Sequence, residues 1–318
     1  MKVSVAMITY NHERFIAQAI ESALMQETSF DYEVVIGEDC STDRTREIVA
    51  GFHKRFPGKI RLLLPENNIG AHKNLAQVLD ACTGQYIALL EGDDYWTSPH
   101  KLQKQVDFLD AHPECPMCFH PVRWFYEDGQ ARGNGRPEHN SVWPQFYREY
   151  STTEDLLREM FIHTASVMFR NGLIGQYPEW LHGLMMGDWP LCALLAEHGP
   201  IACLDEVMSA YRNHEGGICS SIEDEARYRE VIKMYERMNA HFGSRYAHII
   251  RPILADYYLK LGVVYDQKGE SERARSCIAR SLASQMMSKH KPPLNSIKML
   301  ARLSLPSIYG LSKKLLKV

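Results

Sequence analysis

A chain of 318 residues, 45% hydrophobic and 24% charged, has the balance of a folded protein with room for one main domain and a smaller one, stable without disulfides or a structural metal. A formal charge of −3 excludes the basic field of a general nucleic-acid binder, and no apolar run approaches the ~18 residues of a membrane span. The eight cysteines are scattered, as in a reduced, cytoplasmic protein.

The N-terminus opens directly on a buried strand, Val3–Thr9, rather than on a leader. Phe15, Ile16, Ala19, Ile20, Ala23 and Leu24 then recur at helical spacing, and Tyr32–Ile36 is a second strand. A helix carrying Ile48, Val49, Phe52 and Phe56 leads to a third strand, Ile60–Leu64. A helix with Leu75, Val78, Leu79 and Cys82, ended by Gly84, leads to a fourth, Tyr86–Leu90. Repeated strand–helix–strand units predict an α/β fold with a mainly parallel sheet flanked by helices, whose ligands sit at the carboxyl ends of the strands.

Cys118–Phe125 reads as a further strand. Nearby, His112, Cys115, Cys118 and His120 have ligand-like spacing but lack the second pair that a structural zinc site brings. Residues 126–150, rich in Gly, Pro, Asn and Arg, read as a surface loop. Asp155–Phe161 reads as a helix, His163–Phe169 as a strand and Trp189–Glu197 as a helix. The first domain spans residues 1–220, in two halves, 1–110 and 111–220.

From Ser221 the pattern is helical to the end, a C-terminal all-helical extension over 221–318. Leu261-Gly262, Tyr265, Gly269 and Ala274 have the spacing of one tetratricopeptide unit; a single copy makes no solenoid, so the segment reads as a helical hairpin. Residues 289–318 carry seven basic residues and no acid, interleaved with apolar ones. Such a tail suits either an anionic membrane surface, making the protein peripheral there, or packing on the domain by its apolar face.

Each strand end carries polar groups. Strand one runs into Thr9-Tyr10-Asn11, where Asn11 can cap the next helix and Tyr10 can stack on a base. Strand two ends in Glu38-Asp39-Cys40-Ser41-Thr42-Asp43, whose carboxylates suit base N–H groups or ribose hydroxyls. Strand four exits into Glu91-Gly92-Asp93-Asp94, three acids within four residues, a cluster that is costly without a cation or hydrogen bonds. Magnesium is held by one or two carboxylates and substrate phosphates, so a diphosphate would complete such a site.

Taken in order, Thr9-Tyr10-Asn11, Glu38 to Asp43, Asn68-Ile69-Gly70 with Asn74, and Glu91-Gly92-Asp93-Asp94 with Pro99 and Lys101-Leu102 resemble the family 2 glycosyltransferases of GT-A fold, over roughly residues 1–215. The resemblance implies inverting transfer from a nucleotide sugar, usually UDP-linked, with Mg2+ or Mn2+. It places Thr9, Tyr10 and Asp39 at the base and ribose and Glu91 near the ribose or sugar. Asn11, Glu38 and Asn74 belong to the same nucleotide-sugar set, and Asp93 is the metal ligand. Glu at 91 and Cys at 40 depart from the commoner pattern. Met186-Gly187-Asp188-Trp189 is similar to the family's catalytic-base motif, which makes Asp188 the base; the same carboxylate is also placed to cap its helix. In Tyr211-Arg212-Asn213-His214, Arg212 is suited to the diphosphate and His214 to the metal or a phosphate.

The expected acceptor is a saccharide or lipid-linked saccharide, and Trp143, Trp180 and Trp189 stack on its sugar or fill core. A nucleotidyltransferase would need a Gly-rich basic loop after strand one, and a dehydrogenase a GxGxxG there; neither is present. A non-catalytic sugar-nucleotide binder of the same fold remains the rival, against which the acids at 93 and 188 argue.

Overall fold

The computed structural model describes residues 1–129, 137–144, 148–217 and 222–287. The chain divides into two compact units, the first formed by residues 1–183 and 187–220 and the second by 184–186 and residues from 221 onward.

In the first unit the elements run β1 (Val3–Thr9), α1 (Ile16–Leu24), β2 (Tyr32–Glu38), α2 (Thr45–Arg55), β3 (Ile60–Leu63), α3 (Ala71–Ala81), β4 (Tyr86–Glu91), β5 (Tyr95–Trp96), α4 (Lys101–Ala111), β6 (Met117–Phe119) and β7 (Val122–Tyr126). They continue with β8 (Val142–Trp143), β9 (Tyr150–Ser151), α5 (Thr153–Arg158), β10 (Met168–Arg170), α6 (Asp188–Leu195), β11 (Ile201–Cys203) and β12 (Ser209–Asn213). The main sheet has the order β3-β2-β1-β4-β10-β6-β11-β9, and a small second sheet the order β5-β12-β7-β8. β1 is central: Val3 pairs in parallel with Tyr32 on one side and Tyr86 on the other. Its apolar run is buried almost end to end because helices cover both faces of the sheet. The architecture is mixed α/β with a large central sheet flanked by helices, and β10 runs antiparallel to both its neighbours.

Four local readings change. The expected strand Cys118–Phe125 is two strands in two different sheets, broken at His120-Pro121. Proline donates no ladder hydrogen bond, and the His120 ring bonds the Pro121 carbonyl, so the chain leaves the main sheet there and enters the small one. The expected strand His163–Phe169 starts instead with a 3₁₀ turn over Thr164–Ser166, since both the Ser166 amide and hydroxyl bond the His163 carbonyl. The helix expected at Asp155–Phe161 begins earlier and ends sooner, fixed by the Thr152–Asp155 capping box. The expected loop 126–150 contains β8 and β9, and its residues 130–136 and 145–147 lie outside the described residues. Of the ligand-like cluster at 112–120, His112 stacks on Phe108 and bonds Glu114, while Cys115 and Cys118 are buried free thiols.

The second unit holds α7 (Asp224–His241), α8 (Ala247–Gln267) and α9 (Ser271–Met287). α8 and α9 form a tight hairpin: a Cβ on Gly262 would fall 2.7 Å from Ile278 Cδ1, and the Ser281 hydroxyl donates to the Ala255 carbonyl at 2.7 Å. No helix among the described residues is long and apolar enough to cross a membrane. The basic tail 289–318 lies outside the described residues.

One buried charge marks the first unit. Lys101 is wholly buried, with its ammonium 4.3 Å above the Trp96 ring and 2.6 Å from Gln105 Oε1, and burial pushes its pKa down to about 7. The unfolded chain keeps that proton to about pH 10, so between pH 7 and 10 it binds more protons than the folded chain, and stability rises with pH. Urea melts from pH 7 to 9 should show the native chain gaining on Lys101→Met by up to about 1.4 kcal/mol per pH unit; parallel profiles would mean the buried amine stays charged.

Candidate active site

The acidic turn sits where β4 leaves the sheet, and its three acids face different surroundings. Gly92 donates its amide to the Ile8 carbonyl at 3.0 Å. A Cβ there would lie 2.5 Å from Thr9 Oγ1 and 3.0 Å from His12 Nδ1, so the glycine lets the β1–α1 turn rest directly on the acids. Asp94 points inward and is buried, its Oδ1 accepting the Arg212 amide at 2.8 Å. Burial, then the charge of Asp93, raises its pKa well above the usual carboxylate range. Asp93 stays accessible, with 20% of its side chain exposed. Burial acts to raise its pKa, but the hydrogen bond with His214 and the nearby imidazoles outweigh it and hold Asp93 below the ordinary value.

β12 supplies the opposite wall. Alternation along the strand, carried one residue past its end, turns Arg212 and His214 toward the same turn. His214 Nε2 lies 3.1 Å from Asp93 Oδ2. Arg212 is only 8% exposed and does not stand open to a cleft. Its Nε donates to the Asp93 carbonyl at 2.8 Å, Nη1 to Glu127 at 2.8 Å and Nη2 to Gln18 at 2.6 Å, over the ring of Phe15. The side chain expected at the diphosphate braces the acidic turn from behind, because strand pairing aims it into the unit. From the β1–α1 turn, His12 Nε2 comes within 3.8 Å of Asp93 Oδ2. Among the described residues, His12, Asp93 and His214 are the one group of three metal-ligand side chains whose donor atoms lie within 4.8 Å of one another. A carboxylate and two imidazoles fit a divalent cation.

Asp188 opens α6 after Gly187, at which a Cβ would fall 1.9 Å from the His72 ring. The Thr164 hydroxyl, in the 3₁₀ turn before β10, donates to Asp188 Oδ2 at 3.4 Å. Glu91, at the β4 exit, lies within electrostatic reach of Asp188 at the start of α6. Burial raises the pKa of Asp188, opposed by the amides at the helix start and by Thr164. Burial, then the charges of Asp93, Asp94 and Asp188, raises that of Glu91 well above the usual range.

The other expected residues lie around the ends of β1 and β2. Thr9 is buried, its hydroxyl 3.2 Å from His12 Nδ1, and Tyr10 is 41% exposed. Asn11 caps nothing: α1 starts at Ile16 without a side-chain cap. Asn11 adopts a positive φ of 55°, receives the Thr42 amide at 2.9 Å and donates its own amide to Ser41 Oγ at 2.9 Å. Asp43 bonds the amides of Glu13 at 3.0 Å and Thr45 at 2.9 Å, the latter at the start of α2. Glu38 is fully buried and paired with Arg46 and the Ser41 amide. Asp39 is buried too, receiving the amides of Ile69 at 2.7 Å and Gly70 at 2.9 Å. Asn74 bonds the Gly37 carbonyl at 2.8 Å, while its Oδ1 is buried without a partner. Glu38, Asp39 and Asn74 thus tie the loops after β2 and before α3 to each other, and the structure does not bring them into the Asp93–Asp188 cluster.

Sequence reasoning passed over His12 and Thr164. The strand-end rule contained the signal for His12, three residues past Thr9; nothing in a lone threonine marked Thr164. It also passed over Trp124, which packs with Tyr211 at 4.7 Å and His163 at 5.2 Å beside Thr164. Of the tryptophans singled out, Trp189 donates to the Leu156 carbonyl at 2.6 Å, a packing role.

The model of glycosyl transferase family 2 matches residues 4–177. A putative teichuronic acid biosynthesis glycosyltransferase, TuaG, of Bacillus subtilis (strain 168) is 33% identical over 73% of this chain and 89% of its own. An uncharacterized protein of Mycobacterium tuberculosis (strain H37Rv) is 42% identical over 71% of this chain, which spans 62% of that relative's length. In fold, the chain is similar to Staphylococcus aureus TarS 1–349 in complex with UDP-GlcNAc (TM-score 0.60, 20% identity, 94% of this chain and 84% of that one). It is also similar to the mannosyltransferase PcManGT from Pyrobaculum calidifontis in complex with GDP-Man and Mn2+ (TM-score 0.57, 17% identity, 98% and 83%). With more than half its length matched by the family model and a sheet of GT-A type beneath the site, the chain belongs to glycosyl transferase family 2.

Proposed function

We propose that the protein is an inverting glycosyltransferase that moves a sugar from a nucleotide-diphosphate donor, UDP-linked, to an acceptor hydroxyl in the synthesis of a surface polysaccharide or lipid-linked glycan. The observation that carries the reading is that Asp188, held by the Thr164 hydroxyl, lies close enough to Glu91 for its charge to add to burial in raising that acid's pKa, and Glu91 stands two residues before Asp93, which pairs with His214. A base and a cation-ready carboxylate on neighbouring segments suit single displacement, which needs both at one reaction centre. Asp93 and His214 would hold the divalent cation, which supplies charge neutralisation to the departing diphosphate. Asp188 takes the acceptor proton, and Thr164 holds its carboxylate in place. Arg212 fixes the backbone of Asp93. Tyr10, exposed beside the turn at Asn11, is placed to stack on the base, and a donor reaching Asp39 would have to share its carboxylate with the Ile69 and Gly70 amides. The relatives named for glycan synthesis support the glycan class, and the UDP- and GDP-bound neighbours a sugar-nucleotide donor.

Thermal shift with a panel of UDP-, GDP- and dTDP-sugars, each with Mn2+ and with chelator, tests the reading. A cognate donor at 100 times its Kd should add about 2.7 kcal/mol of stability, and slow metal-dependent donor hydrolysis should accompany it. A chain that no donor stabilises would overturn it.

A pH profile adds a second test. Asp188 must be ionised to accept a proton, and its pKa is raised by burial. Turnover should therefore fall as pH drops, with its midpoint above the ~4 of an ordinary Asp. A midpoint at or below that value would assign the acid limb to another group.

A further inference from the structure

The second imidazole of the acidic turn is oriented as a ligand. His12 Nδ1 lies 3.2 Å from Thr9 Oγ1. A proton on Nδ1 donated to that hydroxyl leaves the lone pair of Nε2 on the side of Asp93, the outer-sphere arrangement that fixes metal-ligating histidines. Nε2 stands 3.8 Å from Asp93 Oδ2, too far for a hydrogen bond. It is within a few tenths of the ~3.4 Å that separates two donors on one tetrahedral ion with bonds of about 2.1 Å. The ring is held there by its neighbours: the His12 amide donates to Thr45 Oγ1 at 2.8 Å, and only a glycine at 92 leaves room for Nδ1. Three chain segments, the turn after β1, the turn after β4 and the end of β12, thus each bring one donor atom to within 4.8 Å of the other two.

We propose that His12 is a third protein ligand, and that the resulting set of two imidazoles and one carboxylate selects a first-row transition-metal ion over magnesium. The inference rests on the reading of Asp93 and His214 as a cation site and narrows it. Magnesium takes oxygen ligands and keeps its waters, whereas imidazole nitrogens favour the transition ions.

The test uses the full chain without donor or turnover: Mn2+ titration followed by the EPR signal of free Mn2+, with Mg2+ as competitor. Mg2+ should displace Mn2+ only in large molar excess. His12→Ala should weaken Mn2+ binding on the order of 10- to 100-fold, by the scale of outer-sphere losses, and bring the affinities for the two ions together. Thr9→Val, which leaves the imidazole in place, should weaken Mn2+ by about 10-fold on the same scale and keeps the question open to measurement where His12→Ala fails to fold. Mn2+ affinity unchanged in both variants, with Asp93→Asn still abolishing binding, would overturn His12 as a ligand and leave the cation reading intact. Displacement of Mn2+ by equimolar Mg2+ would overturn the selectivity. Absence of Mn2+ binding by the native chain, with UDP present or not, would overturn this inference and the cation reading together.

Discussion

Asp188→Asn should lower sugar transfer by about 10²- to 10⁴-fold, the share that a positioned general base contributes, with little change in donor affinity. The substitution keeps the shape of the side chain, and the amide oxygen can still accept from the Thr164 hydroxyl, which now bonds Asp188 Oδ2 at 3.4 Å. Gly187 and the start of α6 are untouched, so the loss isolates the proton acceptor. Helix capping is the competing role for this residue, and it predicts another pattern: asparagine caps as well as aspartate, so a mere cap would leave both the melting temperature and the turnover per folded molecule near native. Initial rates with radiolabelled donor, set beside donor Kd by calorimetry and a melting curve, separate the two. Transfer within about tenfold of native, a small part of the base's share, would remove Asp188 from the chemistry.

The parts of this molecule that were legible in the sequence are those fixed by local pattern. β1, β2 and β4 are apolar runs bounded by turn residues and covered on both sides by helices, so the period and the breaks located them. Asp93 and Asp188 stood out because each carboxylate lies at the end of a readable element. What escaped depends on contacts far apart in the chain. The roles of Arg212 and Asp94 are settled by β12 lying between β5 and β7, a second sheet that no local pattern announced. Once that pairing exists, Arg212 meets Gln18, Asp93 and Glu127, and its guanidinium is committed. The same holds for Asp39, whose carboxylate is turned to the Ile69 and Gly70 amides some thirty residues on. Thr164 was invisible for a related reason: its hydroxyl meets Asp188 only in the folded turn.

Asp93→Asn and Asp94→Asn, adjacent and chemically identical changes, should give opposite outcomes. Asp94 is buried, its pKa is raised well above the usual range, and its Oδ1 only receives the Arg212 amide. A protonated acid there already resembles an amide in charge and acceptor capacity, so its replacement should leave turnover within about tenfold and show mainly as a change in stability, since the lone buried Oδ2 gives way to an amide. Asp93 is the reverse case. Its carboxylate is accessible and held in the ionised form by the hydrogen bond with His214 and by the neighbouring imidazoles, against the effect of burial. Asparagine removes the charge but not the backbone carbonyl that Arg212 holds, so the turn keeps its path. What is lost is the anionic ligand, and with it most of the electrostatic help to the leaving diphosphate, on the order of 10²- to 10³-fold in kcat by the cost of deleting one preorganised stabilising group. Donor affinity measured with Mn2+ should fall toward the value measured in chelator, because the cation no longer links protein to diphosphate. Equal turnover for the two variants, or full activity of Asp93→Asn in the presence of metal, would show that the accessible acid of this turn holds no cation in the reaction.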